Sequence, residues 1–100
     1  MPHKEKPMDE KSIERKLIKL VRKNGGLALK FTSPGCDGVP DRLLLLPEGR
    51  AAFAEIKATG QRLRPLQMSR KRQLERLGFK VFVIDRPEQM GGVIDEIFAT

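Results

Sequence analysis

The sequence predicts an α/β domain in which helices pack on a mixed sheet of about four strands. The chain has 100 residues, of which 39% are apolar, enough for one small core. Three segments repeat apolar residues at helical spacing, and four others alternate or run together as strands do. Clusters of Gly, Pro and Asn separate them. The predicted order is helix, three antiparallel strands, helix, strand, helix, within one domain at 9–100 after a flexible basic arm at 1–8.

The first helix has a clear beginning and end. Asp9 is a good N-cap, and Met8 and Ile13 stand where a hydrophobic staple would place them. The helix runs to about Lys23, where the sequence 24–26 (NGG) predicts its end.

Three strands are predicted next. Leu27–Phe31 alternates larger apolar residues with Ala and Lys, which is typical of a half-buried strand. After a Gly- and Pro-rich loop at 32–40, the four consecutive leucines of 41–46 predict a strand buried on both faces. Pro47–Arg50 predicts a hairpin turn, and Ala51–Lys57 the returning strand.

The last third of the chain predicts helix, strand and helix. Pro65 suits the first turn of a helix that ends at Gly78. The β-branched and aromatic segment 79–84 predicts a strand, and 85–87 (DRP) begins the final helix.

Charge and residue usage limit the possible functions. The net charge of +7 points to a polyanionic partner. With one Cys and one His, an internal disulfide, a common zinc site and Ser-His or Cys-His catalysis are excluded. No apolar run approaches the roughly 20 residues that cross a bilayer, and the polar N-terminus does not resemble a signal peptide. We therefore expect a cytoplasmic protein with no membrane partner.

Glu14 stands in an unexpected place on the first helix. At about 100° per residue from Ile13, Leu17 lies near ~40°, Val21 near ~80° and Glu14 near ~100°, within the apolar arc. A carboxylate facing the core costs several kcal/mol unless a cation or hydrogen bonds offset it. A salt bridge or a position at the helix rim would also explain it.

A second group of polar residues gathers at one end of the predicted sheet. Counting back from the turn places Asp41 beside the end of the next strand that carries Glu55 and Lys57, which share one face. Each feature alone has an ordinary explanation: an Asp that caps loop amides, and a surface Glu/Lys ion pair. Together they predict a cluster of charged groups below a Gly-rich loop.

These residues carry a resemblance to a known family. The sequence Gly38-Val39-Pro40-Asp41, followed by Glu55-Ile56-Lys57 and Gln67 and preceded by Glu14, resembles the pattern of the PD-(D/E)XK nucleases. It is most similar to the small stand-alone, phage-type members of the VRR-NUC branch. The resemblance implies a restriction-endonuclease-like αβββαβ core with a C-terminal helix, and covers nearly the whole chain.

The resemblance also implies a site and a cofactor. Hard Mg²⁺ or Mn²⁺ would supply an activated water and offset charge in phosphodiester hydrolysis, with no small-molecule cofactor. The implied metal ligands are Asp41, Glu55, the main-chain carbonyl of Ile56, and Glu14 directly or through water. Lys57 would orient the attacking water or stabilise negative charge, and Gln67 would complete the catalytic set.

A basic stretch lies beside this predicted site. Residues 57–80 contain eight Lys or Arg and one Glu. One-sign stretches of this kind suit phosphate contacts, which position nucleic acid without reading its bases. The candidate contacts are Lys30, Arg62, Arg64, Arg70, Lys71 and Arg72, although Lys30 also fits an ordinary exposed strand residue.

We therefore expect a metal-dependent endonuclease acting on DNA in a bacterial or phage-infected cell. Branched DNA such as a four-way junction is the favoured substrate, cut by a homodimer, since two symmetric nicks need two sites. The alternative is a non-catalytic nucleic-acid-binding module similar to a double-stranded-RNA-binding domain, which begins with the same helix, three strands, helix order. A third interpretation is a basic interaction subunit of a larger complex.

Overall fold

The structure, a computed structural model, describes residues 6–100. Helices and strands follow the predicted order, with one short 3₁₀ turn at Pro87–Gln89 before the last helix. The three helices are α1 (Glu10–Lys23), α2 (Pro65–Arg76) and α3 (Met90–Phe98). The four strands are β1 (Leu27–Lys30), β2 (Arg42–Leu46), β3 (Arg50–Ile56) and β4 (Val81–Ile84).

The sheet is mixed, as predicted. Its strand order is β1-β2-β3-β4, and β2 is antiparallel to both of its neighbours, β1 and β3. β4 lies parallel to β3, and the connection between them contains α2. The predicted fold class is confirmed.

Local signals explain where α1 begins and ends. Asp9 accepts a hydrogen bond from the Ser12 N–H (2.8 Å), which satisfies one of the free amides at the helix start. After the C-cap Asn24, Gly25 takes a φ of +84°, a conformation that glycine adopts without strain.

The core lies between one face of the sheet and helices α1 and α3. Alternation along the strands turns every second side chain towards these helices. The helices contribute Ile13, Leu17, Val21, Met90, Val93, Ile94 and Ile97, and the strands Leu44, Leu46, Ala52, Ala54, Ile56 and Ile84.

The opposite face of the sheet is only partly covered, which corrects two strand predictions. Leu27 and Leu29 of β1 are 53% and 43% exposed, whereas Ala28 packs against the core. In β2, Leu44 and Leu46 are buried, but Leu43 and Leu45 are only half-buried. The reason is the position of α2. On this face of the sheet it packs mainly against β4, at the opposite edge from β1.

The start of α1 is fastened to the chain that follows β3. The Met8 N–H donates to Thr59 Oγ1 and the Thr59 N–H donates to the Met8 carbonyl, both at 3.0 Å. Residues 1–5 of the predicted arm lie outside the described residues. Within 6–100, no helix has the length and apolar character needed to cross a membrane.

Candidate active site

Asp41 and Glu55 face each other where β2 begins and β3 ends. The register pairs Arg42 with Ala54, so the preceding residue, Asp41, stands opposite Glu55. The Asp41 N–H donates to Glu55 Oε1 (3.1 Å), and the Ile56 N–H donates to Asp41 Oδ2 (3.0 Å). Each carboxylate is therefore held by the main chain of the other's strand. Asp41 thus accepts a hydrogen bond from an amide, but the amide belongs to the neighbouring strand and not to the loop before β2. Asp41 also belongs to the charged cluster.

Gln67 connects this pair to α2. Its Nε2 donates to Glu55 Oε2 (2.8 Å), and its Oε1 accepts from the Arg64 N–H (2.9 Å) at the helix start. Both ends of the amide are thus satisfied, and the orientation of the Glu55 carboxylate is coupled to the position of α2. The apolar residues around Gln67 do not form a core side of the helix, since Leu66 in α2 and Leu77 at its C-cap are 51% and 67% exposed.

The Glu55 carboxyl has an unusual affinity for protons. Burial, followed by the negative charge of Asp41 and a side-chain hydrogen bond in which the protonated Glu55 carboxyl donates to Asp41, raises the Glu55 pKa from 4.5 to about 7. The positive charge of Lys57 acts in the opposite direction. The glutamate is only 3% exposed, so solvent offers its charge little stabilisation.

Lys57 is buried beside this pair. It follows Glu55 by two residues, so it lies on the same side of the strand, and it is 9% exposed. Buried ammonium groups are uncommon and need a negative partner. Lys57 interacts electrostatically with Glu55, although among residues 6–100 no hydrogen bond or ion pair within 4 Å joins its ammonium group to a carboxylate.

Glu14 lies on the α1 side of the sheet and pairs with Arg42. Glu14 Oε2 is 3.2 Å from Nη2 and 3.3 Å from Nε of Arg42, whose Nη1 also donates to the Ala28 carbonyl. The structure therefore does not bring Glu14 to Asp41 and Glu55. Among residues 6–100, no three acidic, His or Cys side chains lie close enough together to hold a metal ion.

The remaining donors nevertheless suit a hard divalent cation. Mg²⁺ and Mn²⁺ bind oxygen ligands and often use only one or two protein carboxylates, with water and phosphate completing the shell. Asp41 and Glu55 supply two adjacent carboxylates. Because the charge of Asp41 helps to raise the pKa of Glu55, a cation between the two carboxylates would favour the ionised form of Glu55.

The loop before β2 is packed closely onto α2. Gly38 has a φ of +80°, and a Cβ at this position would lie 2.9 Å from the Leu66 carbonyl oxygen. Arg70 Nε donates to the Asp37 carbonyl (3.0 Å), a second contact between helix and loop. Only glycine can come this close to α2 in this conformation. The contact therefore helps to fix the loop that leads into Asp41.

The predicted nucleic-acid contacts have different surroundings. Arg70 is half-buried against the loop, and Lys71 pairs with Glu75 at 2.9 Å. Lys30 is exposed on the edge strand β1, opposite Arg42 in the register. The other three predicted contacts are exposed at the start of α2 or on its surface: Arg62, Arg64 and Arg72.

Sequence reasoning missed two residues that shape this end of the sheet. Arg42 is the cation that Glu14 needed; its position next to Asp41 on an alternating strand places it on the opposite face, towards α1. In the sequence, Gly38 stands out only as part of the Gly38–Asp41 motif. Its close contact with Leu66 depends on the packing of α2, which is distant in sequence.

Comparison with known proteins agrees with this geometry. The sequence model of the VRR-NUC domain matches residues 7–86. A protein of Acyrthosiphon pisum secondary endosymbiont phage 1, named "Putative nuclease p44", is 50% identical over 76 residues, which make up 76% of this chain and 82% of that protein. A solved structure described as a VRR-NUC domain superposes with a TM-score of 0.82 at 28% identity, over 86% of this chain and 94% of the other.

Proposed function

The chain belongs to the VRR-NUC domain family of nucleases, and from that premise we propose that it is a metal-dependent endonuclease that hydrolyses phosphodiester bonds in DNA. The observation that carries the proposal is the meeting of Asp41 and Glu55 across β2 and β3, where their carboxylates accept hydrogen bonds from the Ile56 N–H and the Asp41 N–H, respectively. A structural role alone does not require a second acid with a pKa near 7 in this position.

The side chains would divide the work as follows. Asp41, Glu55 and the Ile56 carbonyl would hold Mg²⁺ or Mn²⁺, which supplies an activated water and offsets negative charge on the phosphate. Lys57 would stabilise charge that develops in the transition state and help to orient the water. Gln67 would fix the Glu55 carboxylate through its 2.8 Å hydrogen bond. Glu14, which is paired with Arg42 on the α1 side of the sheet, is not included in this proposed site.

DNA is the proposed substrate because the surface around the site is basic. The exposed Arg62 and Arg64 lie in the connection that leads from β3 to α2, close in sequence to Lys57. Such contacts hold phosphates and read no bases, so selectivity for DNA structure, with branched DNA favoured, is more reasonable than a sequence code.

A homodimer would supply the two sites that symmetric cutting of a junction needs. The partly uncovered side of the sheet supports this part of the proposal. Leu27, Leu29 and Phe79 are 53%, 43% and 51% exposed there, and apolar side chains exposed on one side of a sheet favour association.

The non-catalytic binding module accounts for less of the molecule. In that alternative, the first helix, three strands and second helix would suffice. Here Ile84 of β4 and Val93, Ile94 and Ile97 of α3 belong to the core, so the last strand and helix are integral to the fold.

Cleavage of branched and linear DNA in Mg²⁺, Mn²⁺ or EDTA tests the proposal. We expect wild-type protein to cut with either metal and not in EDTA, and Asp41→Ala to lose at least about 100-fold in rate, since it removes a principal ligand. Glu88→Gln is the matched control, because Glu88 is an exposed acid on the 3₁₀ turn.

Two outcomes would contradict the metal mechanism. Cutting that persists in EDTA, or in Asp41→Ala at the wild-type rate, would remove it. Binding to DNA without cutting under every metal would favour the non-catalytic module.

A further inference from the structure

We propose that the outer side of α1 is a second phosphate-contacting surface for nucleic acid, on the face of the sheet opposite α2. Lys16, Lys19 and Lys23 form it around Leu20, and we name it the α1 lysine stripe. The identification of the polyanion as nucleic acid rests on the function proposed above. The charge geometry rests on the structure alone.

The stripe is set by helical spacing. Its lysines are three and four residues apart, so they lie on one side of the helix and span about 10 Å along its axis. Together with Leu20 they line a shallow groove of about 210 Å³. All three lysines are exposed.

These lysines are free of intramolecular partners, unlike two of the cations on α2. Within residues 6–100, no hydrogen bond or ion pair involves the ammonium groups of the stripe. On α2, by contrast, Arg70 is bonded to the Asp37 carbonyl and Lys71 to Glu75. Only one acid of α1 lies near the stripe in sequence, Glu14, and its carboxylate is turned to Arg42. Unpaired like charges on neighbouring turns repel, which an external polyanion would relieve.

The stripe begins near the candidate active site. α1 starts at the same end of the sheet as Asp41 and Glu55, because Met8 is bonded to Thr59, two residues after Lys57. Lys16 lies six residues into α1, about 9 Å along the axis from its start, on the side of the helix away from Glu14. A backbone that crosses the sheet end and then follows α1 would therefore meet arginines on the α2 side and the stripe on the α1 side.

Nucleic acid suits this surface better than a membrane or an acidic protein. A DNA strand presents one charge per about 3.4 Å of helix axis, a regular array along which three lysines over about 10 Å can be placed. Membrane-binding helices need a broad exposed apolar side, and Leu20 is only half-buried and stands alone here.

The test measures how DNA affinity depends on salt, in EDTA so that no cutting occurs. The stripe variant is Lys16→Gln/Lys19→Gln, since Gln keeps the side-chain length and a good helix propensity. The control is Lys11→Gln/Arg22→Gln, which removes the same charge from exposed positions on a different side of the same helix. A fluorescent DNA duplex is titrated with each protein over a range of NaCl concentrations.

We expect the slope of log affinity against log salt to become less steep by about 1.8 in the stripe variant, because each phosphate contact contributes about 0.9. In the control, the slope should change by no more than about 0.9, half of the change expected in the stripe variant. An unchanged slope, an equal change in both variants, or no binding by wild-type protein would each overturn the proposal.

Cleavage assays separate this inference from the function proposed above. If wild-type protein cuts DNA with metal but the stripe variant keeps the wild-type salt slope, the role proposed for the α1 lysine stripe is wrong and the proposed nuclease activity is retained. If wild-type protein binds but never cuts, while the stripe variant loses slope, the stripe stands and the nuclease is wrong.

Discussion

The Glu55 carboxyl links the stability of the metal-free protein to pH. Its pKa is raised from 4.5 to about 7, first by burial and then by the charge of Asp41. Between these values the folded chain binds more protons than the unfolded chain, so the free energy of unfolding falls as pH rises. The stabilisation is fully present below about 4.5 and is lost as pH rises through about 7. One pKa unit corresponds to about 1.4 kcal/mol, so the loss is at most about 3 to 4 kcal/mol.

Urea unfolding in EDTA at about pH 5 and about pH 8 measures this loss. Glu55→Gln cannot ionise at this position and should show a smaller change between the two conditions. If the wild-type protein gained stability between these two pH values relative to Glu55→Gln, the raised pKa of Glu55 would be contradicted. Added Mn²⁺ should restore stability at the higher pH, because binding to the folded state alone shifts the equilibrium.

Gln67 is expected to tune the same carboxylate. In Gln67→Ala, Glu55 Oε2 loses its donor and the Arg64 N–H loses its acceptor. We expect cleavage to slow about 10- to 100-fold, as for other residues that orient a metal ligand. The pH at which activity appears should rise, because a carboxylate with fewer donors ionises less readily.

The pH dependence of the initial cleavage rate tests this role. Gln61→Ala provides the control, since the Gln61 side chain is exposed. A uniform loss of rate with no shift of the pH profile would mean that Gln67 acts only by holding α2 in place.

At the scale of elements, the contact between α2 and the loop before β2 positions the site. Gly38→Ala would place a methyl group 2.9 Å from the Leu66 carbonyl oxygen at a φ of +80°. We expect about 1–3 kcal/mol of destabilisation and reduced cleavage, since both the helix and the loop must shift. Gly35→Ala, in the same loop but with open space around it, should change neither stability nor rate appreciably. Thermal unfolding and cleavage assays of both variants make the comparison.

The elements themselves were predictable because their signals are local. The Asp9 N-cap, the glycines after α1 and Pro65 at the start of α2 each act within one turn of chain. Which face of β1 is buried was not predictable in this way. Leu27 and Leu29 form the more apolar side of that strand, but α2 lies over β4, so they stay exposed and Ala28 packs inward.

In the candidate site, too, the features set by local signals were predictable and those set by long-range packing were not. Strand alternation and the short hairpin turn brought Asp41 and Glu55 together in the sequence interpretation, and the register Arg42↔Ala54 places them so. The partner of Glu14 depends on how α1 crosses the sheet, a long-range packing question. The internal bonds of Arg70 and Lys71 depend on a loop and a rotamer, which composition does not reveal.

For the whole molecule, the uncovered side of the sheet predicts self-association. Along one row of the sheet, exposure falls from 43% at Leu29 to 7% at Val81 as α2 is approached. We expect sedimentation to show a dimer, and Leu29→Lys to shift it towards monomer, because a charge on this surface opposes its burial. Met68→Lys, an exposed apolar residue on α2, should leave the dimer intact. A wild-type monomer at micromolar concentration would count against the dimer and against junction cutting.

The parallel pairing of β4 with β3 has a consequence for how the protein assembles. The β2–β3 hairpin that carries both acids is closed by a turn of three residues, whereas β4 can join only after the long crossover through α2. Short-range pairings form more readily than long-range ones. During folding, we therefore expect the hairpin to align the two acids before β4 and α2 are in place. The Gln67 amide that orients Glu55 arrives with α2, so the candidate site is completed only in this later step.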